Sequence, residues 1–204
     1  MSQIIYLIIA LAVCISVHEA SHALVAYWLG DPTAKQAGRL SLNPFRHLDL
    51  LGTLMIFLVH FGWGKPVPFN YYNLKHPRRD SALIAIAGPI SNLLLAMLIS
   101  IFIKYVPMPL ILHTVLSAIF QLSIVLFLFN LIPIAPLDGS KLLGLIIPAS
   151  KENWYQRFLS QGPMYLIILV VLDRLLAEVT GFSFLSYYLQ AGYELTTVLI
   201  FMAT

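Results

Sequence analysis

The sequence predicts an all-α polytopic membrane protein, and three observations predict it. Of 204 residues, 59% are hydrophobic and only 10% charged, against about 45–50% and roughly 25% in soluble domains. The mean hydropathy is +0.85, more apolar surface than a single core can hide. The apolar residues also fall in blocks close to the ~20 residues that a helix needs to cross a bilayer. A lipid bilayer is therefore the expected surrounding. The same figures exclude a disordered or fibrous chain. With 12 Lys plus Arg against 9 Asp plus Glu, net +3 and no basic stripe, they also argue for no nucleic-acid partner.

Four blocks read as spans: about 4–29, 80–106, 112–135 and 163–180. The first follows Met1-Ser2-Gln3, which lacks a basic region, and is longer than a signal-peptide core, so it is expected to be retained. A fifth block, 182–203, carries Glu194, Tyr187, Tyr188 and Tyr193, and reads either as a span or as an interfacial helix. Residues 48–61 are apolar over only 14 positions, a length that suits a re-entrant segment. Pro66 and Pro68 then forbid helix and favour an extended edge, so Val67–Asn70 is expected to form a short membrane-associated β strand or hairpin. No internal repeat is visible, and no appended soluble domain is expected.

Topology follows from charge. If 48–61 turns back without crossing, Lys35, Arg39, Arg46, Lys65, Lys75, Arg78 and Arg79 share one side. Lys141, Lys151 and Arg157 join them, leaving Lys104 and Arg174 opposite. The positive-inside rule makes the crowded side cytoplasmic and places the N-terminus outside.

His18-Glu19-Ala20-Ser21-His22 is an H-E-x-x-H pattern, whose i, i+4 spacing sets both imidazoles on one helical face, able to grip one ion. Glu19 lies beside that ion and can accept a proton from water without being a ligand. Three ionisable groups inside an apolar span point to function, because such groups are costly there. A catalytic zinc normally takes three protein ligands. Cys14 is the only cysteine, so the third must be a His or a carboxylate. Asp138 is the candidate: it ends the 112–135 helix after Pro133 and Pro136 break it, on the cytoplasmic side and in the same half of the bilayer as the H-E-x-x-H turn. The Asp138-Gly139 pair also reads as a simple turn or helix cap.

Together, His18-Glu19-x-x-His22 and Phe129-Asn130-Leu131-Ile132-Pro133-x-x-Pro136-Leu137-Asp138-Gly139 resemble the site-2 proteases, intramembrane zinc metalloproteases. Gly88-Pro89-Ile90-Ser91-Asn92 and Gly62-Trp63-Gly64-Lys65-Pro66-Val67-Pro68 are similar to segments of that family's short prokaryotic members. The resemblance covers roughly 8–145. It implies a three-helix catalytic core within residues 1–145, built from 4–29, 80–106 and 112–135, followed by C-terminal membrane helices over 146–204. It also implies one Zn2+ per chain held by His18, His22 and Asp138, with Glu19 as base. Asn130 would orient substrate or stabilise the oxyanion, a role that a side-chain amide can fill in a dry site. Repair of a carbonyl freed by Pro133 would explain Asn130 equally well. Asn92 is ambiguous in the same way beside Pro89. The strand that carries Val67 and Phe69 would pair with an unwound substrate.

The leading expectation is therefore a peptide hydrolase of the cell membrane, acting on a transmembrane protein substrate from the cytoplasmic half of the bilayer. Regulation is expected to reside in that substrate or in a regulatory membrane partner. The sequence specifies no oligomeric state. The rival class is a membrane metal-ion transporter or metal-binding protein using the same polar cluster as an ion relay. Transport would favour a repeated architecture, and none is visible. His47 reads as an interfacial loop histidine and Cys14 as a small packing residue.

Overall fold

A computed structural model describes residues 2–47, 49, 52 and 64–204. The re-entrant segment expected over 48–61 therefore lies outside the described residues, Asp49 and Gly52 excepted.

Helix α1 (Ser2–Trp28) carries the H-E-x-x-H turn in its second half. Its end is fixed by Gly30 at φ 102°, where the Asp31 N–H reaches back to the Ala26 carbonyl at 2.9 Å. This is the left-handed closure that glycine permits. A short helix α2 (Thr33–Gln36) and a 3-10 turn at Pro44–Arg46 follow. Helix α3 (Pro77–Tyr105) opens on Pro77, and the Asp80 carboxylate accepts from the His76 N–H at 2.8 Å. That cap starts the helix one turn before the apolar block expected at 80.

Helix α4 (Leu110–Asn130) ends five residues short of the expected 135. Pro133 has no N–H and restricts Ile132 before it, so the amides of Leu131 and Ile132 close onto Leu128 and Phe129 instead. A turn over 131–138, with a cis Ala135–Pro136 bond, leads into helix α5 (Gly139–Ile146). Helices α6 (Glu152–Thr180) and α7 (Phe184–Ala203) complete the chain. Helix α6 begins well before the apolar block at 163, its first turns carrying Glu152, Gln156 and Arg157.

Among the described residues, three helices are long and apolar enough to cross a membrane: Gln3–Trp28, Pro77–Tyr105 and Leu110–Asn130. Helices α6 and α7 are not among them. Small residues such as Ala10, Cys14, Ala96, Ser100 and Ser123 are buried between helices alongside larger ones such as Ile119, Phe120 and Ile124, while Leu94, Leu98, Ile101, Ile167 and Leu172 are exposed. Lipid-facing leucine and small interfacial residues are how helices pack in a bilayer. Cys14 is such a contact, its Sγ 3.2 Å from Ser123 Oγ. Helix α7 lies along α4, where Gly192 admits the Leu128 side chain and the Tyr188 hydroxyl donates to the Leu128 carbonyl at 3.1 Å.

No β strand is found among the described residues. Residues 65–70 form neither helix nor strand, and the bonds described for them go to the side chains of Glu19, Asp31 and Arg39 and to loop backbone at His47 and Asn73.

Candidate active site

The i, i+4 spacing on α1 brings the His18 and His22 rings to 4.6 Å between centroids, edge to face. Both side chains are buried. What lets them sit there is Gly88 on α3: a Cβ at that position would lie 2.5 Å from the His22 ring and 2.6 Å from His18. Any side chain at 88 would occupy the imidazoles' space. The His22 Nδ1 donates to the Ile84 carbonyl at 2.7 Å, and His18 Nδ1 lies 3.1 Å from the Asn92 amide. Both Nε2 atoms are thereby turned to the same point.

Asp138 meets them there. Its Oδ2 is 3.1 Å from His18 Nε2 and 3.3 Å from His22 Nε2. The carboxylate makes no capping bond to α5, so it does not act as the helix cap its Asp-Gly setting also suggested. Gly139 makes the placement possible, since a Cβ there would lie 2.3 Å from the Leu131 carbonyl oxygen. Helix α6 backs the turn: a Cβ at Gly162 would lie 2.2 Å from that of Ala135, and the Tyr155 hydroxyl donates to the Ser140 carbonyl at 3.2 Å.

Three donor atoms, one from each of His18, His22 and Asp138, lie within 4.8 Å of one another. For bonds of about 2.0–2.2 Å at tetrahedral angles, ligand atoms should be roughly 3.3–3.5 Å apart, close to the two separations found. Asp138 Oδ2 is buried with no hydrogen-bond donor, as expected of an oxygen meant for a cation. Asn92 fits the same reading. Its Oδ1 is buried without a partner, and turning the amide over lets Oδ1 accept the Nδ1 proton that a ring ligating through Nε2 carries. Burial pushes the Asp138 carboxyl up, and the His22 and His18 rings more than reverse it, holding it below the usual carboxylate range.

Glu19, one position along, is not part of the triad. Its Oε2 accepts from the Val67 N–H at 3.2 Å. The triad and Glu19 open on a cavity of about 430 Å³, whose walls include Val67, Phe69, Asn130 and Lys141. Along 66–70 exposure alternates, with Val67 and Phe69 half-buried and Pro66, Pro68 and Asn70 exposed; Pro66, Val67 and Phe69 all line the cavity. Asn130 lies at the end of α4, its amide donating to the Leu126 carbonyl at 3.0 Å. Leu126 lies seven residues before Pro133, so this bond is not to a carbonyl that Pro133 frees, and the amide keeps a second N–H.

Other contributors carry no legible signal in the sequence. Lys141 lies one turn past Asp138 and places its Nζ 4.6 Å from the Phe69 ring centre. Burial pushes its ammonium below the ordinary lysine value, with Asp138 opposing. Leu166 brings α6 into the cavity wall. His47 is wholly buried rather than interfacial, its Nε2 2.6 Å from the Ser41 carbonyl oxygen. Asp31 and Arg39 are buried charges beneath the 65–70 segment.

Two imidazoles and a carboxylate that could hold a metal ion, with a glutamate beside them and membrane-capable helices around them, fit the site of a zinc peptidase in a membrane protein. Comparison with known proteins gives the same class. Residues 108–172 match the model of peptidase family M50. The chain is 41% identical over 175 residues to "Putative zinc metalloprotease YwhC" of Bacillus subtilis (strain 168), covering 81% of this chain and 80% of that protein. "Putative zinc metalloprotease Rip2" of Mycobacterium tuberculosis is 34% identical over 137 residues, 62% of this chain and 51% of that one. Rip2 of Mycolicibacterium smegmatis is 25% identical over 193 residues, 88% and 74% of the two chains. No solved structure matches. The chain belongs to peptidase family M50, the site-2 proteases, and is a zinc-dependent peptidase.

Proposed function

We propose that the protein is an intramembrane endopeptidase that hydrolyses peptide bonds within or near transmembrane segments of membrane-protein substrates, releasing cytoplasmic fragments. The observation that carries this reading is the convergence of His18, His22 and Asp138, with Glu19 beside them, on a cavity walled by helices apolar enough to span a bilayer. One zinc per chain would be held by those three residues, and when bound it supplies a Lewis acid that polarises the scissile carbonyl and acidifies water.

The chain's own groups do the rest. Glu19 takes the proton of the attacking water and delivers it to the leaving amide nitrogen. Asn92 fixes the ring of His18, and the Ile84 carbonyl fixes that of His22. Asn130 has a second amide N–H to offer the developing oxyanion. Val67 and Phe69 present an extended edge to a substrate that must itself be unwound, because helical hydrogen bonds shield its carbonyls. The catalytic core is assigned to 1–145, with 146–204 as C-terminal helices. The charge count supports an N-terminus outside the cell membrane and a site in its cytoplasmic half. A regulatory membrane partner would act through the substrate.

The test pairs metal analysis with cleavage of a transmembrane substrate by wild type and Glu19→Gln. Zinc retained with cleavage lost supports the assigned roles. An intact Glu19→Gln protein without zinc would refute them, and metal flux with no proteolysis by wild type would favour the ion-relay class.

A further inference from the structure

We propose that Arg39 and Asp31 are positioning residues for the reaction, clasping the two ends of the 65–70 segment so that Val67 and Phe69 stay against the catalytic cavity. This rests on the reading of that segment as the substrate edge. Arg39 is 5% exposed, and burying a guanidinium is expensive unless its donors are used. One of its Nη atoms donates to the Arg46 carbonyl, and the other to the carbonyls of Lys65 and of Pro66, the latter at 3.0 Å. With one Nη shared between two successive carbonyls and the other on Arg46, the planar fork ties the start of the segment to the loop at 46. The Lys65 N–H adds a bond to the His47 carbonyl at 2.7 Å.

Asp31 holds the other end. It is 0% exposed, with Oδ2 accepting from the Asn70 N–H at 2.6 Å and Oδ1 from the Asn73 amide at 2.7 Å. Bonds to a carboxylate are stronger than neutral ones, which suits an anchor. Pro66 and Pro68 remove the intervening donors from the Asn70 side of the segment. On the opposite side the Val67 N–H is on Glu19. The Phe69 N–H and the carbonyls of Val67 and Phe69 have no partner among the described residues. Among the described residues, two positions thus keep unused backbone bonding groups between two charged anchors, beside Glu19. Held so, the segment spares a substrate strand the entropy of ordering its partner.

The test uses the full-length zinc-loaded protein in lipid nanodiscs, with Arg39→Gln, Arg39→Lys and Asp31→Asn. Backbone amide exchange is read at Val67 and Asn70, the bonded amides of the segment, with zinc content, KM and kcat on a cleaved transmembrane substrate. Asn at 31 loses the charge and one of the two acceptor oxygens that serve Asn70, Asn73 and Thr33, so the Asn70 end is held less firmly. Expected are unchanged zinc, exchange at 67–70 faster by roughly tenfold as a charged hydrogen bond is lost, and a similar rise in KM with kcat nearly constant. Arg39→Lys should recover part of the loss, since it restores the charge and not the fork.

Unchanged exchange at 67–70 in both Arg39→Gln and Asp31→Asn overturns the clasp, as does a fall in kcat with KM constant. If Arg39→Gln fails to fold, Asp31→Asn alone decides by the same criteria. A wild type that cleaves nothing counts against the peptidase reading alone, and amide exchange then decides the clasp: faster exchange upholds it and unchanged exchange overturns it.

Discussion

The site has two halves of similar polarity built on opposite plans. The helical half, His18, His22 and Asp138, gets its precision from regular backbone and missing side chains: four residues separate the imidazoles, and Gly88 and Gly139 remove the atoms that would obstruct them. The loop half, 31–47 with 64–73, has only the one-turn helix α2 and short 3-10 turns to lean on. Its order comes from buried charge, with Arg39 and Asp31 bonded to groups 26 to 42 residues away in the chain. The proposed metal ligands sit on the rigid half. The proposed substrate edge sits on the half that side-chain bonds can tune. Substitutions in the first half should therefore cost metal, and in the second binding.

The largest effect should come from ligand removal. His22→Ala should lose zinc and activity together, and Asp138→Asn, which keeps volume but replaces an anionic ligand with a neutral one, should lower zinc affinity and cleavage sharply. A turn residue would tolerate Asn, because both side chains make the same local bonds. Near-wild-type zinc content and cleavage in Asp138→Asn would remove it from the shell and erase the distinction between the halves. The carboxylate's lack of any capping bond to α5 already argues against that outcome.

The two halves also differ in how far the sequence discloses them. The H-E-x-x-H pair is legible because helical periodicity converts a four-residue spacing into a shared face, and Asp138 because two prolines and a glycine announce a break. The helix end was misplaced by five residues, since Pro133 acts backwards on the amides before it. The contacts of Asp31 and Arg39 leave no periodic trace, and the charge count treats Arg39 only as a topological marker. Gly88 shows a middle case. A glycine before Pro89 in a span is visible, but the reason for it, clearance for two rings from another helix, exists only after packing. The expected strand missed for a related cause: two prolines specify extension, while pairing needs a partner that local sequence does not encode.

Gly88→Ala gives the next largest effect and isolates the packing term. Helix propensity alone would favour Ala over Gly by about 1 kcal/mol. The new methyl would lie 2.5 Å from the His22 ring, and forcing a side chain into a filled core costs roughly 1–3 kcal/mol. The contact should win, and the rings, which can move only away from Asp138 or out of their Nδ1 bonds, should lose zinc. Metal content below wild type with a melting temperature equal or lower is the expected pair of readings. A more stable variant with full zinc would mean that the rings are not confined by α3.

A smaller loss is expected from Asn92→Ala. The residue touches no metal and acts by holding His18 Nδ1. Partners of this kind are typically worth 10–100-fold in metal affinity. A chelator competition should show zinc released more readily, and cleavage should recover when zinc is raised. Unchanged affinity would reduce Asn92 to repair of the helix at Pro89.

The smallest effect belongs to the loop half and is one of pH. Burial raises the Asp31 carboxyl, but the bonds from Thr33, Asn73 and Asn70 outweigh it, so it titrates below its ordinary value of 3.8. A carboxyl depressed by folding contributes stability that is fully present above the unfolded value and lost as pH falls through the folded one. Its hydrogen-bond partners are neutral, so the loss should be that of one group. Wild type should therefore show a step in amide exchange at Asn70 below about pH 4. Asp31→Asn, which has no proton to take up there, should start from faster exchange and show no such step. Zinc release in acid would follow protonation of the helical half and is scored separately, by metal content in the same samples. If exchange at Asn70 rises only where zinc departs, the loop half is held by the metal site rather than by its own buried charge, and the contrast between the halves fails.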